Sequence, residues 1–349
     1  MYYSEIVDIE SVYYPILAAI GVPVNLMAIV ILSRGKCGLS KCITRYMVAM
    51  ATADLSVLLI DVIFRRIADI YSWPTYLTYT PVCKIIHYLA PVAVDCSVWF
   101  TVAFTFDRFV AISTKNMKAK YCIERTASIV ILTVTPSVCL QNLPLPFAYV
   151  PYIPIELNLG CAKDVYFYMR REWMVFSWIE QLFTPVIPFC LILLFNALTV
   201  RRISVASRVR RSLRDLSVGE NKKDQEMVNR RRSVVLLLAI SSSFILLWAT
   251  SVAHFIALRC FNLSLRRSWT NHLFEFEKVG FMLQLLSSCT NTAIYTVTQR
   301  KFRDDWERTN KRRPPDPRFA GIPGIRLRVM TRDSPVPIRN QDTRSNSTT

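Results

Sequence analysis

Residues 83–109 read CKIIHYLAPVAVDCSVWFTVAFTFDRF. The stretch begins on Cys83, runs through a long apolar segment holding a single acid, Asp95, and closes on Asp107, Arg108 and Phe109. At a helical rise of about 1.5 Å per residue, Cys83 and Arg108 stand roughly 37 Å apart, more than the roughly 30 Å of hydrocarbon in a bilayer. One end therefore faces each side of a membrane. By themselves Asp107 and Arg108 are equally well a charged pair ending a membrane helix, because so short a pattern matches by chance often. The rest of the chain decides between these readings.

Working outward, the 349 residues are 52% hydrophobic and only 19% charged, too apolar for an ordinary soluble domain of this size. The net charge of +18 is not a nucleic-acid signature, since the basic residues cluster between apolar runs and no zinc-finger or RNA-recognition motif accompanies them. Ten cysteines without a CxxC pair support neither a zinc nor a redox centre. The three histidines, His87, His254 and His272, form no ligand cluster, and no hydrolase motif occurs, so no metal site and no enzyme activity are expected. The first residues lack a basic segment before a cleavage site, so the first apolar run is expected to act as the targeting signal.

Seven apolar runs reach or nearly reach the roughly 20 residues a spanning helix needs: 13–33, 43–64, 82–112, 127–150, 173–200, 233–258 and 274–298. The connections on one side carry Arg34, Lys36, Lys41 and Arg45, then Lys115, Lys118, Lys120 and Arg125, then the dense 201–232 segment and a basic tail. The intervening loops mix signs. The positive-inside rule then places the N-terminus outside and the tail in the cytoplasm. Asp54 falls inside the second run, where an acid costs about 2.5 to 3.5 kcal/mol on insertion scales and so calls for partners or a cavity. Phe302 and Trp306 share one face of a charged segment at 299–310, the pattern of a helix lying on a membrane surface. Residues 311–349 have a disordered composition.

Taken in order, these features resemble the rhodopsin-like (class A) G-protein-coupled receptors. The matching residues are Gly21 and Asn25 in the first run, Asp54 in the second, Cys83 and Asp107-Arg108 in the third, Trp248 in the sixth, and Asn291 and Tyr295 in the seventh. Several positions depart from the family pattern. Phe109 replaces a tyrosine, the fourth run lacks its usual tryptophan, Asn196 replaces a tyrosine, Ser287 stands where many members have asparagine, and Thr250 and Thr292 occupy proline positions. The missing tryptophan, Phe195-Asn196 and the segment 300–303 are similar to orphan brain receptors reported to respond to aromatic amino acids.

The resemblance implies an all-α, seven-transmembrane helix bundle with a short amphipathic eighth helix: an outer N-terminus at 1–12, a receptor domain at 13–298, the surface helix at 299–310 and a tail at 311–349. It implies a disulfide between Cys83 and Cys161. It implies a coupling switch of Asp107, Arg108, Trp248, Asn291 and Tyr295, and a polar pocket of Asn25, Asp54, Ser97 and Ser288 that can hold sodium; no other cofactor is expected. A ligand pocket would take in Ala90, Val94, Glu180, Gln181, Phe255 and Phe281. Ala90 occupies the place of the aspartate that amine receptors use, and Asp95 lies five residues on, about 140° around the helix. The outer half also carries Asp61, Arg65, Arg66, Glu277 and Lys278, either as ligand contacts or as solvated helix ends. Asn262 begins an outward-facing Asn-Leu-Ser sequon. The expected partners are an extracellular small-molecule or peptide ligand, a heterotrimeric G protein and membrane lipid, at the plasma membrane and without nucleic acid. A seven-helix transporter or channel is the rival reading; it would more naturally show repeats or paired broken helices, and none is found.

Overall fold

The computed structural model describes residues 2–35, 39–71, 77, 79–113, 121–151, 161–164, 170–214, 223–260, 270–298 and 307. The first helix, α1, is Tyr2–Ser33. Next, α2 starts as Lys41–Val57, capped by the Ser40 hydroxyl, which accepts from the Ile43 amide, and continues as a π-helical stretch, Leu58–Ile67, and a last turn, Ala68–Ile70. The third helix, α3, is Thr80–Ser113, and α4 is Glu124–Asn142, followed by a 3-10 turn at Leu145–Ala148. Then α5 runs through Arg171–Gln181, a π turn Leu182–Val186 and Ile187–Arg214. Two long unbroken helices follow, α6 at Lys223–Cys260 and α7 at Thr270–Thr298.

Six of these helices are long and apolar enough to cross a membrane by length and composition. The seventh has the length, 29 residues, but carries Glu275, Glu277 and Lys278 in its opening turns. The architecture is therefore the expected all-α bundle. Its exposed leucines and isoleucines follow from that: Leu132, Leu140 and Leu246 are about 70% exposed because hydrocarbon, not protein, is their solvent.

Three large clusters make most of the core among the described residues, beside a small one of Ala148 and Tyr149. One packs Ile31, Tyr46, Met47, Met50, Phe104, Leu236 and Tyr295. A second, toward the other end of α1 and α2, packs Tyr14, Leu17, Leu58, Val62 and Leu285. The third joins α3, α5 and α6 through Val98, Val102, Ile192, Phe244 and Trp248. Close approach of α1 requires Gly21: a methyl there would collide with the Cys289 sulfur of α7 and with Leu58 of α2.

One boundary differs from the sequence reading. Helix α1 begins at Tyr2, not residue 13, because Ile6 and Glu10 have burial partners of their own. The irregularity in α5 falls at Thr184 (φ −150°, ψ 107°), just before Pro185, and helix resumes at Ile187 through Pro188. Without prolines at 250 and 292, α6 and α7 run uninterrupted, as lost proline kinks require. The surface helix expected at 299–310 and the tail at 311–349 lie outside the described residues, apart from residue 307, as does Asn262.

Candidate functional site

On the side of the bundle where α3 begins, Cys83 is bonded to Cys161, with Cα atoms 6.1 Å apart. The disulfide sits beside a two-stranded antiparallel ribbon, β1 (Tyr149–Val150) and β2 (Ala162–Lys163), which pairs Tyr149 with Lys163 and Val150 with Ala162. Tyr149 stacks on His87 of α3, ring centroids 4.3 Å apart. His87 also lies within 4.8 Å of both disulfide sulfurs. Since the disulfide leaves neither sulfur as a thiolate, the trio is not a metal centre.

The expected ligand-pocket residues do not form one cluster. Ala90 is buried, and Phe255 of α6 meets Trp178 of α5 edge-on at 5.8 Å. Glu180 and Gln181 are half-buried near the end of the first part of α5. Glu180 makes no hydrogen bond or ion pair at bonding distance among the described residues; the basic group whose charge acts on it is Lys163. Burial pulls the Lys163 ammonium below the usual lysine range, and Glu180 opposes that shift.

Other outer charges are engaged between helices. Asp61 accepts from Arg65 Nε at 2.6 Å and from Arg66 Nε at 3.3 Å. A π-helical hydrogen bond spans five residues, so positions four and five along both return to the same side, and both arginines reach one carboxylate. Arg66 Nη1 donates to the Tyr14 hydroxyl at 2.9 Å, which in turn donates to Glu10 Oε1 at 3.0 Å. Lys278 Nζ reaches Glu10 Oε2 at 2.9 Å, and the Tyr13 hydroxyl donates to the Met282 carbonyl at 2.7 Å. Phe281 lies under the Arg66 guanidinium, 5.0 Å from ring centroid to Cζ. Asp61, Arg66 and Lys278 thus tie α1, α2 and α7 together rather than standing as solvated helix ends, and Phe281 belongs with them. Asp95 accepts from Asn142 Nδ2 of α4 at 2.8 Å.

The polar pocket lies deeper. Asp54, fully buried, accepts from Ser97 Oγ at 2.5 Å and from Asn291 Nδ2 at 2.8 Å. Asn25 Nδ2 donates to the Ser288 carbonyl at 2.9 Å, and its Oδ1 accepts from Thr292 at 3.4 Å. Next to this cluster a cavity of about 10 Å³ is lined by Val94, Ser97, Trp248, Gln284, Ser287 and Ser288, among others. That volume takes about one water-sized occupant; its polar lining is Ser97, Ser287, Ser288, Gln284 and the Trp248 indole, and Asp54 is joined to it through the Ser97 hydroxyl. Oxygen donors of this kind suit a small cation. Val94, expected in the ligand pocket, lines this cavity.

Polar contacts run between α6 and α7: Ser243 Oγ to Thr290 Oγ1 at 3.1 Å, Trp248 Nε1 to Ser287 Oγ at 3.2 Å, and Ser251 Oγ to Gln284 Oε1 at 3.5 Å. Tyr295 is fully buried in the first core cluster. At the far end of α3 Arg108 is 6% exposed and bonds the Asp107 carboxylate through both Nε and Nη2. Asp107 also accepts from the Cys42 thiol of α2 at 3.2 Å.

Sequence reasoning missed Cys42, Asn142 and the Glu10–Lys278 pair. The burial cost of Asp95, inside the third apolar run, was a signal that it needs a partner; for Glu10, outside the first run, and for Cys42 there was none.

The geometry agrees with comparisons to known proteins. The family model described as "7 transmembrane receptor (rhodopsin family)" matches residues 24–295, well over half of the chain. Galanin receptor type 1 of Rattus norvegicus is 31% identical over 120 residues, covering 34% of each chain, so the match spans about a third of that receptor's length. Atypical chemokine receptor 3 of Canis lupus familiaris is 22% identical over 275 residues, 74% of this chain and 67% of that one. Tachykinin-like peptides receptor 86C of Drosophila melanogaster is 24% identical over 275 residues, 75% of this chain and 51% of that one. With its seven helices, the disulfide at one end of α3 and the buried Asp107–Arg108 pair at the other, the chain belongs to the rhodopsin family of seven-transmembrane receptors and is not an enzyme.

Proposed function

We propose that this receptor sits in the plasma membrane with its N-terminus outside, binds an extracellular amino acid or short peptide in its outer half, and activates a heterotrimeric G protein from its inner half. The observation that carries the reading is the Asp107–Arg108 pair, buried at the end of α3 opposite the Cys83–Cys161 bond. A buried guanidinium is costly unless paired, so Arg108 stays held until a rearrangement exposes it to a partner. Trp248, Asn291 and Tyr295 form the inner part of that rearranging path.

In the outer half, Glu180 is an acid available to a ligand cation, with Lys163 as the basic group that acts on it, and Gln181, Ala90 and Phe255 complete the proposed pocket. This mixture of signs and aromatics suits a zwitterion or a peptide better than a lone amine. One relative is named for tachykinin-like peptides, which supports the peptide half of the reading. Asp54, Ser97, Asn25 and Ser288 form a pocket for sodium. The test is Arg108→Ala: signalling is lost while surface expression persists, and an ion-flux assay on the same cells stays silent. Unchanged coupling at normal surface levels, or ligand-gated flux, rejects the reading.

A further inference from the structure

The inner switch has a member on α2. Asp107 is 1% exposed, and each of its carboxylate oxygens has its own donor: Oδ2 takes Arg108, and Oδ1 takes the Cys42 thiol at 3.2 Å. A second thiol, Cys122 just ahead of α4, approaches the Asp107 backbone carbonyl at 3.5 Å. Cys42 is itself 1% exposed and lies in the core cluster with Tyr46 and Phe104. Its sulfur is therefore held in place by packing while its hydrogen points at the acid.

We infer that Cys42 is the positioning residue of the coupling switch: its thiol fixes the rotation of the Asp107 carboxylate so that Oδ2 stays presented to Arg108. This rests on the coupling role proposed for Arg108. The physical argument is geometric. An aspartate on a helix can turn about its side-chain bonds, and Arg108, its immediate neighbour in sequence, moves with the same helix and so cannot fix that rotation alone. A donor from another helix can. Cys42 supplies it from α2, which makes the resting pair dependent on how α2 and α3 sit against each other. A thiol is a weak donor, so the resulting restraint is soft. The Asp107–Arg108 pair is consequently released more readily than it would be under a hydroxyl at the same place. Removing the thiol leaves one oxygen of a buried carboxylate without its donor and favours conformations in which Arg108 is free.

The experiment compares Cys42→Ala and Cys42→Ser with the wild-type receptor, in cells at matched surface expression and across a panel of G-protein readouts. Cys42→Ala is expected to raise ligand-free signalling roughly two- to ten-fold, the range set by one buried hydrogen bond, while Cys42→Ser, which restores a donor, stays at or below the wild-type level. In an Asp107→Ala background, Cys42→Ala should add nothing, since the group it positions is gone. As a measurement independent of signalling, hydrogen exchange on the purified receptor in lipid discs should show faster exchange across 104–113 for Cys42→Ala but not for Cys42→Ser.

The inference is overturned if Cys42→Ala changes neither signalling nor exchange, if Cys42→Ser behaves like Cys42→Ala, or if the alanine effect persists undiminished without Asp107. The coupling role fails separately, by Arg108→Ala retaining full signalling. If Arg108→Ala is silent and Cys42→Ala is indistinguishable from wild type, only the role of Cys42 is lost.

Discussion

Trp248 of α6 donates its indole N–H to the Ser287 hydroxyl of α7, 3.2 Å away, and Ser287 in turn donates to the Gln284 carbonyl one turn back. A buried indole is thereby tied to the neighbouring helix at the level of the small polar cavity. Ser287→Ala removes the acceptor and leaves the indole N–H unsatisfied, at a cost of roughly 1 to 3 kcal/mol. The thermal midpoint of the purified receptor should fall accordingly. Trp248→Phe on top of Ser287→Ala should lose less than Trp248→Phe alone, and equal losses would show that the pair is not coupled.

Glu10 and Lys278 carry the next prediction. Glu10 is 3% exposed and its carboxylate is satisfied by Lys278 and Tyr14. Lys278→Met strips the charge partner from a buried acid and should destabilise the receptor by on the order of 2 kcal/mol. Adding Glu10→Gln should recover part of that loss, because no charge is then stranded. Thermal midpoints of the two variants provide the check; additive losses would mean that the pair contributes nothing to the packing of α1 against α7.

At Thr250 the missing proline should matter to switching as well as to folding. A proline there would remove a backbone hydrogen bond and bend α6, pulling on the contacts made by Ser243, Trp248 and Ser251 to α7. Thr250→Pro is expected to change basal or ligand-driven signalling at matched surface levels. A variant identical to wild type in both respects would show that position 250 is not a hinge.

Sodium offers a test that needs no ligand. If Asp54 and the serines around the 10 Å³ cavity hold the ion, sodium chloride should raise the thermal midpoint above that in choline chloride of equal ionic strength. Asp54→Asn should abolish the difference. An equal response of both proteins to sodium places the ion elsewhere.

For the ligand, Glu180→Gln should weaken the response to an amino-acid or peptide agonist found by screening. Removing the acid's charge should cost roughly ten-fold or more in potency if it meets a ligand cation. Strong activation by a monoamine, unaffected by the change, would reject the proposed pocket chemistry.

The bundle was legible in sequence because lipid imposes it: a run such as 83–109 has no other way to satisfy its backbone than as a helix. Depth alone marked Asp54 as an acid in need of donors; Ser97 was named beside it through the family resemblance, and Asn291, assigned to the switch, proves to be its second donor. The fate of the outer charges was not legible. Whether Arg66 and Lys278 face water, ligand or another helix depends on how far α1 extends and on the winding of α2, and neither leaves a mark in residue spacing. Cys42 was hidden for a different reason: a cysteine in an apolar run reads as packing, and only the position of α2 against α3 gives its hydrogen a target.

The π-helical winding of 58–67 makes chain length a specified quantity in α2. Deleting any one residue within it would let the segment rewind as an ordinary α-helix, still apolar and still long enough to cross a bilayer. Rewound at about 100° per residue, the positions four and five beyond Asp61 would lie about 40° and 140° around the helix from it instead of sharing one side. Arg65 and Arg66 could no longer share Asp61, and Tyr14 would lose its donor. A frame-preserving loss of one amino acid, harmless by hydropathy, would therefore act as a multiple substitution of the outer face.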